Sequence, residues 1–236
     1  MTDWSRLRHA YGTAEDVPVL LARVGTGPEE EVWGDLWSRL CHQGSVYPAS
    51  FAALPELADL GGRKDEDGDN ALVLAGAIVA AADEGERRDH AGSVERLRAL
   101  AGDRVRRPAE PALYVNLLQA LMAFDGDRVW SYALEGLIDE VYEVFCPACD
   151  MGVFVSIGEA GHFSAVGDHE PGDPGATPLR PAAPAELSGP ARVLYDSAVA
   201  ARMDPVAVGL THLFGTGTCG ECGAEFPVAA QVADVH

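Results

Sequence analysis

Four of the five cysteines in this chain stand in two matched pairs, "CPAC" at Cys146 and Cys149 and "CGEC" at Cys219 and Cys222. A segment with strand-like alternation follows each pair, and a glycine lies shortly after each second cysteine. Two thiols three residues apart suit a tight turn whose backbone N–H groups point at the sulfur atoms. If the two pairs share one site, segments that are 69 residues apart must fold against each other.

Three chemistries use C-x-x-C pairs, and the surrounding residues separate them. A thioredoxin-like dithiol stands at the start of a helix that follows a strand, which neither pair offers. Disulfides suit a secreted chain, and the N-terminal "MTDWSRLRHAYG" has no apolar stretch of the kind found in export signals. A closed site of four thiolates remains, for which zinc is the default metal. We therefore predict that these four cysteines bind one Zn²⁺.

This segment resembles a zinc ribbon whose two halves are separated by an insertion. Four protein ligands leave no open position for water or substrate, so the predicted zinc is structural rather than catalytic. His212, seven residues before Cys219, is the alternative fourth ligand. His162 and His169, with Asp168, form a second candidate site for a metal or ligand, and we favour a solvated loop for them.

Apolar residues recur at helical spacing through the first part of the chain. They predict helices near 14–25, 28–41, 48–60, 70–84, 92–101, 111–124 and 127–144. An internal repeat is visible, because "DVPVLLARV" at 16–24 matches "ALPELADLG" at 53–61 with an offset of 37 residues and proline on proline. The helices that follow these two segments also correspond, so the repeat unit is a helical hairpin.

These repeated hairpins resemble HEAT-repeat proteins, whose first helix often carries an internal proline like Pro18 or Pro55. The resemblance covers roughly residues 10–145 and implies a stack of helical hairpins; an irregular helical bundle is the alternative. The predicted fold is mainly α, with a HEAT-like domain at 1–145 and a small α+β zinc-ribbon-like module at 146–236.

After Phe145 the pattern changes. Residues 152–157 and 162–167 alternate like two strands of a hairpin around a glycine-containing turn. Residues 168–185 hold five of the fifteen prolines and predict a loop or linker. Helices are expected at 188–202 and 204–214, and a final strand at 225–233.

The net charge of −20 bears most directly on function. Acidic residues exceed basic ones 26 to 14 in residues 1–145 and 11 to 3 in residues 146–236, so both parts repel a phosphate backbone. We expect no nucleic acid or membrane partner and a cytoplasmic location. The expected partner is a protein with a basic surface, steered by acidic residues around 29–31 and 65–69, as for an adaptor, inhibitor or immunity-type protein.

Two other functions stay open. One is an enzyme with an unrecognised site in "CHQGSVYP" at 41–48, near His42 and Tyr47. The plainer interpretation of that turn packs Cys41 in the core and uses His42 and Gln43 to bond the helix end. The other is a nucleic-acid-binding zinc ribbon, which the scarcity of basic residues after residue 145 argues against.

Overall fold

The structure, a computed structural model, describes residues 2–167, 170–173 and 175–235, apart from the side chain of Glu29. These residues fall into two units. The first comprises the chain up to Arg104 together with Leu117–Ser131; the second comprises Val105–Asn116 together with the residues from Tyr132 onward. Both combine helices with small sheets, so the fold is mainly α with some β, as predicted. No helix among the described residues has the length and apolarity to cross a bilayer.

Short helices make up most of the first unit. They are α1 Val17–Arg23, α2 Glu29–Leu40, α3 Pro48–Ala52, α4 Leu54–Leu60, α5 Glu66–Ala80, α6 Glu84–Asp89 and α7 Ala91–Arg104. Two helices contribute residues to both units, α8 Pro111–Asp125 and α9 Trp130–Ala133. Two small hairpins complete the unit, β1 Arg8–His9 with β2 Gly12–Thr13, and β3 Cys41–His42 with β4 Ser45–Val46.

The helix boundaries reproduce the repeat of 37 residues. Helices α1 and α4 are both seven residues long and start 37 residues apart, each with a proline at its second position. Proline is tolerated in the first helical turn because its missing N–H would have no partner there. Helices α2 and α5 also start 37 residues apart, and α1 packs on α2 as α4 packs on α5. The repeated unit is therefore a helical hairpin.

The acidic run at 65–69 serves the first unit itself. Buried Asp67 accepts a hydrogen bond from Trp33 Nε1 at 2.9 Å and pairs with Arg63 at 2.9 Å. Asp65 caps α5 by accepting from Gly68 N–H, and Asp69 pairs with Arg104. Three of the four carboxylates in this run therefore have partners within the first unit.

The turn that contains Cys41 and His42 is a β-hairpin rather than the predicted helix-to-helix turn. Gln43 and Gly44 connect β3 and β4 with φ of 50° and 77°. Two consecutive positive φ angles define the type I′ turn, whose twist matches that of a two-residue hairpin. Cys41 is buried, as the plainer interpretation of this turn expects.

The second unit contains a four-stranded antiparallel sheet in the order β5-β6-β7-β8. Its strands are β5 Val141–Phe145, β6 Gly152–Gly158, β7 Gly161–Ala165 and β8 Thr177–Pro178. The predicted β6–β7 hairpin is confirmed, but the helix predicted at 127–144 is wrong. That segment holds α9, a 3₁₀ turn at Leu134–Leu137 and β5, in which Tyr142 and Val144 are buried between exposed neighbours. Such alternation is the pattern of a strand. Because β5 pairs with β6, the unit boundary falls before residue 145.

The rest of the second unit returns to helices. Helices α10 Gly189–Ala200 and α11 Asp204–Leu213 are confirmed, and β9 Thr216–Thr218 pairs with β10 Glu225–Pro227. The final strand predicted at 225–233 stops at Pro227, and α12 Val228–Val235 follows. Proline has no N–H to continue a ladder, and Val228 and Val232 are buried one helical turn apart.

The described part of the predicted linker is tied to the sheet. Strand β8 pairs with β7, Leu179 N–H donates to His162 O at 3.0 Å, and Ala182 N–H donates to Thr211 O at 2.9 Å. A 3₁₀ turn at Pro184–Glu186 then leads to α10. Residues 177–186 of this proline-rich segment therefore form an ordered connection and not a free linker.

Candidate metal centre

Each C-x-x-C pair lies in the turn of an antiparallel hairpin. Residues 146–151 connect β5 to β6, whose last paired residues are Phe145 and Gly152. Residues 219–224 connect β9 to β10, where Thr218 pairs with Glu225. We call these two six-residue turns the first and second knuckles. The prediction that a strand follows each pair is confirmed.

The two knuckles have the same backbone geometry. Cys146 N–H donates to Met151 O at 2.8 Å, and Cys219 N–H donates to Ala224 O at 2.9 Å. The residue after each second cysteine, Asp150 or Gly223, donates its N–H at 2.9 Å to the carbonyl of the first cysteine. That residue has a positive φ in both knuckles, 60° at Asp150 and 72° at Gly223. Asp tolerates this left-handed conformation better than most residues, and Gly adopts it freely.

These turns bring the four thiols together. Their sulfur atoms all lie within 4.8 Å of one another. Cys146 Sγ is 3.7 Å from Cys222 Sγ, and Cys149 Sγ is 3.8 Å from Cys219 Sγ. A disulfide requires about 2.05 Å, so no pair is bonded. The first cysteine of each knuckle is buried and the second is exposed. The cluster can hold one metal ion with four sulfur ligands.

Hydrogen bonding within the cluster separates the acidities of the thiols. Hydrogen bonds from the backbone N–H groups of Ala148 and Cys149 lower the pKa of Cys146 to about 7. The N–H of Met151 lowers the pKa of Cys149, but hydrogen bonding with Cys222 and the other nearby thiols raises it overall to about 12. A cation held between the sulfur atoms would favour the thiolate form of Cys149.

Side chains outside the C-x-x-C pairs hold the β9–β10 hairpin, which carries the second knuckle, against the rest of the second unit. Buried Ser164, on β7, donates its hydroxyl to Thr218 O at 2.8 Å and accepts from Thr218 N–H at 3.1 Å. Arg180 forms a backbone bridge with Thr216, and its guanidinium contacts both Glu225 oxygens at 2.9 and 3.0 Å. Sequence reasoning missed Ser164 and Arg180, because neither belongs to a motif and their partners Thr218 and Glu225 lie 54 and 45 residues further along the chain.

Two of the histidines considered from the sequence, His162 and His212, lie outside this cluster. His212 Nδ1 is 3.0 Å from Val208 O, and its ring makes an edge contact with His162 at 3.9 Å between centroids. Burial lowers the pKa of His212, and the nearby His162 adds to this effect. The four sulfur atoms form a complete set, so His212 is not needed as a replacement ligand. Asp168 and His169 lie outside the described residues.

The residues around His42 form a separate cluster in the first unit. Cys41 and His42 are consecutive strand residues, so their side chains point to opposite faces, and burial raises the pKa of the Cys41 thiol. The pair therefore does not have the geometry of a nucleophile and its base. His42 Nδ1 instead lies 3.2 Å from Tyr11 Oη, while Tyr47 lines an open depression with Arg6 and Arg8.

Comparisons of this chain with known protein families, with curated proteins and with solved structures each find no match. What the protein does must therefore be argued from its own residues.

Proposed function

We propose that Cys146, Cys149, Cys219 and Cys222 bind one Zn²⁺ as thiolates. Zinc–sulfur bonds of about 2.3 Å in a regular tetrahedron place the sulfur atoms about 3.8 Å apart. The distances of 3.7 and 3.8 Å between the knuckles support this geometry. Four thiolates also select zinc or iron among the common metals. Zinc is proposed because this closed arrangement suits a fastening role that needs no redox change.

The proposed zinc has a structural role. It connects the β5–β6 hairpin to the β9–β10 hairpin, and protein sulfur atoms occupy all four of its coordination positions. Binding free energy at such a site adds to folding free energy. The thiolates and the unpaired thiol of Cys41 suit a reducing compartment, so we place the protein in the cytoplasm.

For the first unit we propose a HEAT-like stack of helical hairpins. The identical offset of α1–α2 and α4–α5 supports it, as does the packing of α2 against α5, which puts the second helices of the two hairpins side by side. An experimental structure tests the proposal. If one rotation and translation superposes both helices of α1–α2 on α4–α5, the stack is supported. If each helix needs its own superposition, the stack is contradicted.

The protein's function, we propose, is to bind another protein that has a basic surface. The observation that carries this proposal is the exposed side of β5 and β6, which we call the knuckle face. Phe145 is 56% exposed, Phe154 38% and Val141 38%. Phe154 of β6 pairs directly with Glu143 of β5, and Phe145 of β5 lies diagonally opposite Phe154. Exposed aromatic residues on a rigid hairpin, with a carboxylate among them, suit an apolar anchor flanked by basic groups.

A groove beside the first knuckle extends the knuckle face. It has a volume of about 590 Å³, and its exposed carboxylates have no basic partner among its lining residues. It is lined by Phe145, Cys146, Pro147, Ala148, Cys149, Asp150, Gln231, Asp234 and Val235. The groove and the whole chain are both negatively charged, so a basic partner should associate faster at low salt than at high salt.

The test is capture from a native cell extract on immobilised protein, at low and at raised salt. The wild type is compared with the double variant Phe145→Ser/Phe154→Ser, and the matched control Val193→Ser/Val199→Ser changes two exposed valines of α10. We expect a basic protein that wild type and control retain and that the double variant and raised salt release. The same proteins retained on the double variant would contradict the proposal.

Nucleic acid binding is tested separately. We expect no binding of duplex DNA or RNA at physiological salt, because such binding depends on counterion release by Lys and Arg, and residues 146–236 hold only three arginines and no lysine. Tight binding of either nucleic acid by the wild type would replace the protein partner with a nucleic acid one.

A further inference from the structure

The second unit contains a cavity of about 570 Å³ that no cysteine lines. Its walls come from the start of α8, the residues before β5, the β6–β7 turn and the first turns of α11. Cavities of roughly 300–1,000 Å³ are the size that holds small organic ligands. The cavity is therefore large enough for a ligand of its own, apart from the metal centre.

The floor of the cavity is apolar. Val115 and Ile157 are each 2% exposed and Val206 7%, and all three line it. Gly209 of α11 lies against the same floor, where an added Cβ would come within 3.3 Å of Leu137 and 3.5 Å of Ile157. Such a floor gains free energy when an apolar group replaces water.

The polar part of the lining is strongly acidic. Four carboxylates contribute to it, and the lining contains no lysine or arginine. They belong to Glu110, Glu140, Glu159 and Asp204. Three of these residues are exposed and Glu140 is partly exposed, so the negative charge lies at the mouth, above the buried floor. A carboxylate at the rim of an apolar cavity attracts a cation more strongly than one in open water.

Glu140 is held at this rim by its surroundings. Its φ of 60° is a left-handed conformation that costs a non-glycine residue free energy. Its carbonyl accepts from Ile157 N–H at 3.0 Å and its carboxylate from Glu159 N–H at 3.2 Å. A side chain at Gly158 would collide with the Glu140 carboxylate, so glycine keeps that space free. His162, in the same wall, has a buried Nδ1 without a hydrogen-bond partner.

We propose that this cavity binds a small organic cation, an amine with an apolar body. The apolar part packs against Val115, Ile157 and Val206, and the ammonium group lies among the rim carboxylates, chiefly Glu159 and Asp204. Charge complementarity favours a cation over an anion as the ligand. An anion of the same shape would meet four carboxylates and no basic residue but His162.

Three compounds of one shape test the proposal: 4-phenylbutylamine, 4-phenylbutanol and 4-phenylbutanoate. Affinity is measured by calorimetry and the contact region by backbone amide NMR. We expect the protonated amine to bind about tenfold more tightly than the alcohol, equivalent to about 1.4 kcal/mol, and the carboxylate more weakly than both. The amides of Gly158, Glu159 and Gly209 should shift.

Two variants with matched controls locate the binding. Val208→Trp, on the cavity side of α11, should lower the affinity for the amine about tenfold, while Val193→Trp, with a similarly exposed valine on α10, should not. Glu159→Gln should weaken amine binding and leave alcohol binding unchanged, while Glu186→Gln should change neither.

Equal affinities for the amine, the alcohol and the carboxylate would overturn the proposal, as would amide shifts confined to residues away from the cavity. So would the absence of amine binding at about 5 mM, a concentration at which even millimolar affinity is measurable. The ligand series uses the wild type, so the test stands even where a variant fails to fold.

Discussion

The two units are stabilised by different means. In the first, helix pairs bury leucine, alanine and tryptophan side chains, with Leu36, Leu72 and Leu97 at most 1% exposed. In the second, four thiols bring the β5–β6 and β9–β10 hairpins together, while Ser164 of β7 and Arg180 also contact the β9–β10 hairpin. A helical repeat gains stability from each neighbouring helix, whereas β9–β10, with three residues a strand, is too short to be stable alone. The second unit should therefore depend on its metal, and the first should not.

The largest expected effect follows from breaking the cluster. Cys146→Ser removes one ligand of a site whose binding contributes on the order of 10 kcal/mol in small zinc domains, so the second unit should lose several kcal/mol. Hydrogen exchange should show lost protection from β5 to α12 and retained protection in α1–α7. The matched control is Cys41→Ser, which lies outside the cluster and should keep the metal. Equal loss of protection in both units would contradict this difference in their dependence on the metal.

A substitution that creates a cavity in the first unit should destabilise that unit and leave the second unit unchanged. Leu36→Ala empties a fully buried position in α2 and should cost about 2–5 kcal/mol of the first unit's unfolding free energy. Metal content should stay at the wild-type value, and so should protection in β5–β8. Metal loss in this folded variant would mean that the two units do not respond independently.

Ser164→Ala tests the contacts that hold the second knuckle. It removes both hydrogen bonds to Thr218 and leaves two backbone groups short of partners, at a cost of about 1–3 kcal/mol. Transfer of the metal to a chelator should also be about tenfold more favourable, the usual effect of losing an outer-shell contact. The control is Ser197→Ala, an exposed hydroxyl on α10. Unchanged stability and metal affinity would show that Ser164 does not support the site.

The smallest effects compare the two knuckles with each other. Gly223→Ala puts a side chain at φ 72° and should cost about 1–2 kcal/mol. Asp150→Gly, at the matching position of the first knuckle, should leave stability within about 0.5 kcal/mol of the wild type. Gly152→Ala, without a positive φ or a close neighbour, is the control. A cost at Asp150→Gly equal to that at Gly223→Ala would mean that backbone conformation is not what these positions share.

Local patterns in the sequence predicted much of this structure. Two equally spaced cysteine pairs were enough to predict that Cys146, Cys149, Cys219 and Cys222 form one cluster. The matching prolines, Pro18 and Pro55, were enough to align α1 with α4. The pattern failed where a helix gives way to a strand. The apolar residues at 127–144 fit a single helix, but Tyr142 and Val144 belong to a strand that pairs with β6. Ser164, Arg180 and the acidic cavity depend on contacts between distant segments, which no local pattern records.

The central claim is that the two knuckles share one zinc ion, and native mass spectrometry of carefully purified protein, prepared without added reductant, tests it most directly. The account predicts one zinc per chain in the wild type and in Cys41→Ser, and none in Cys146→Ser or Cys222→Ser. Iron in place of zinc would overturn the choice of metal. Wild-type protein without metal, or with a disulfide inside either C-x-x-C pair, would contradict the claim itself.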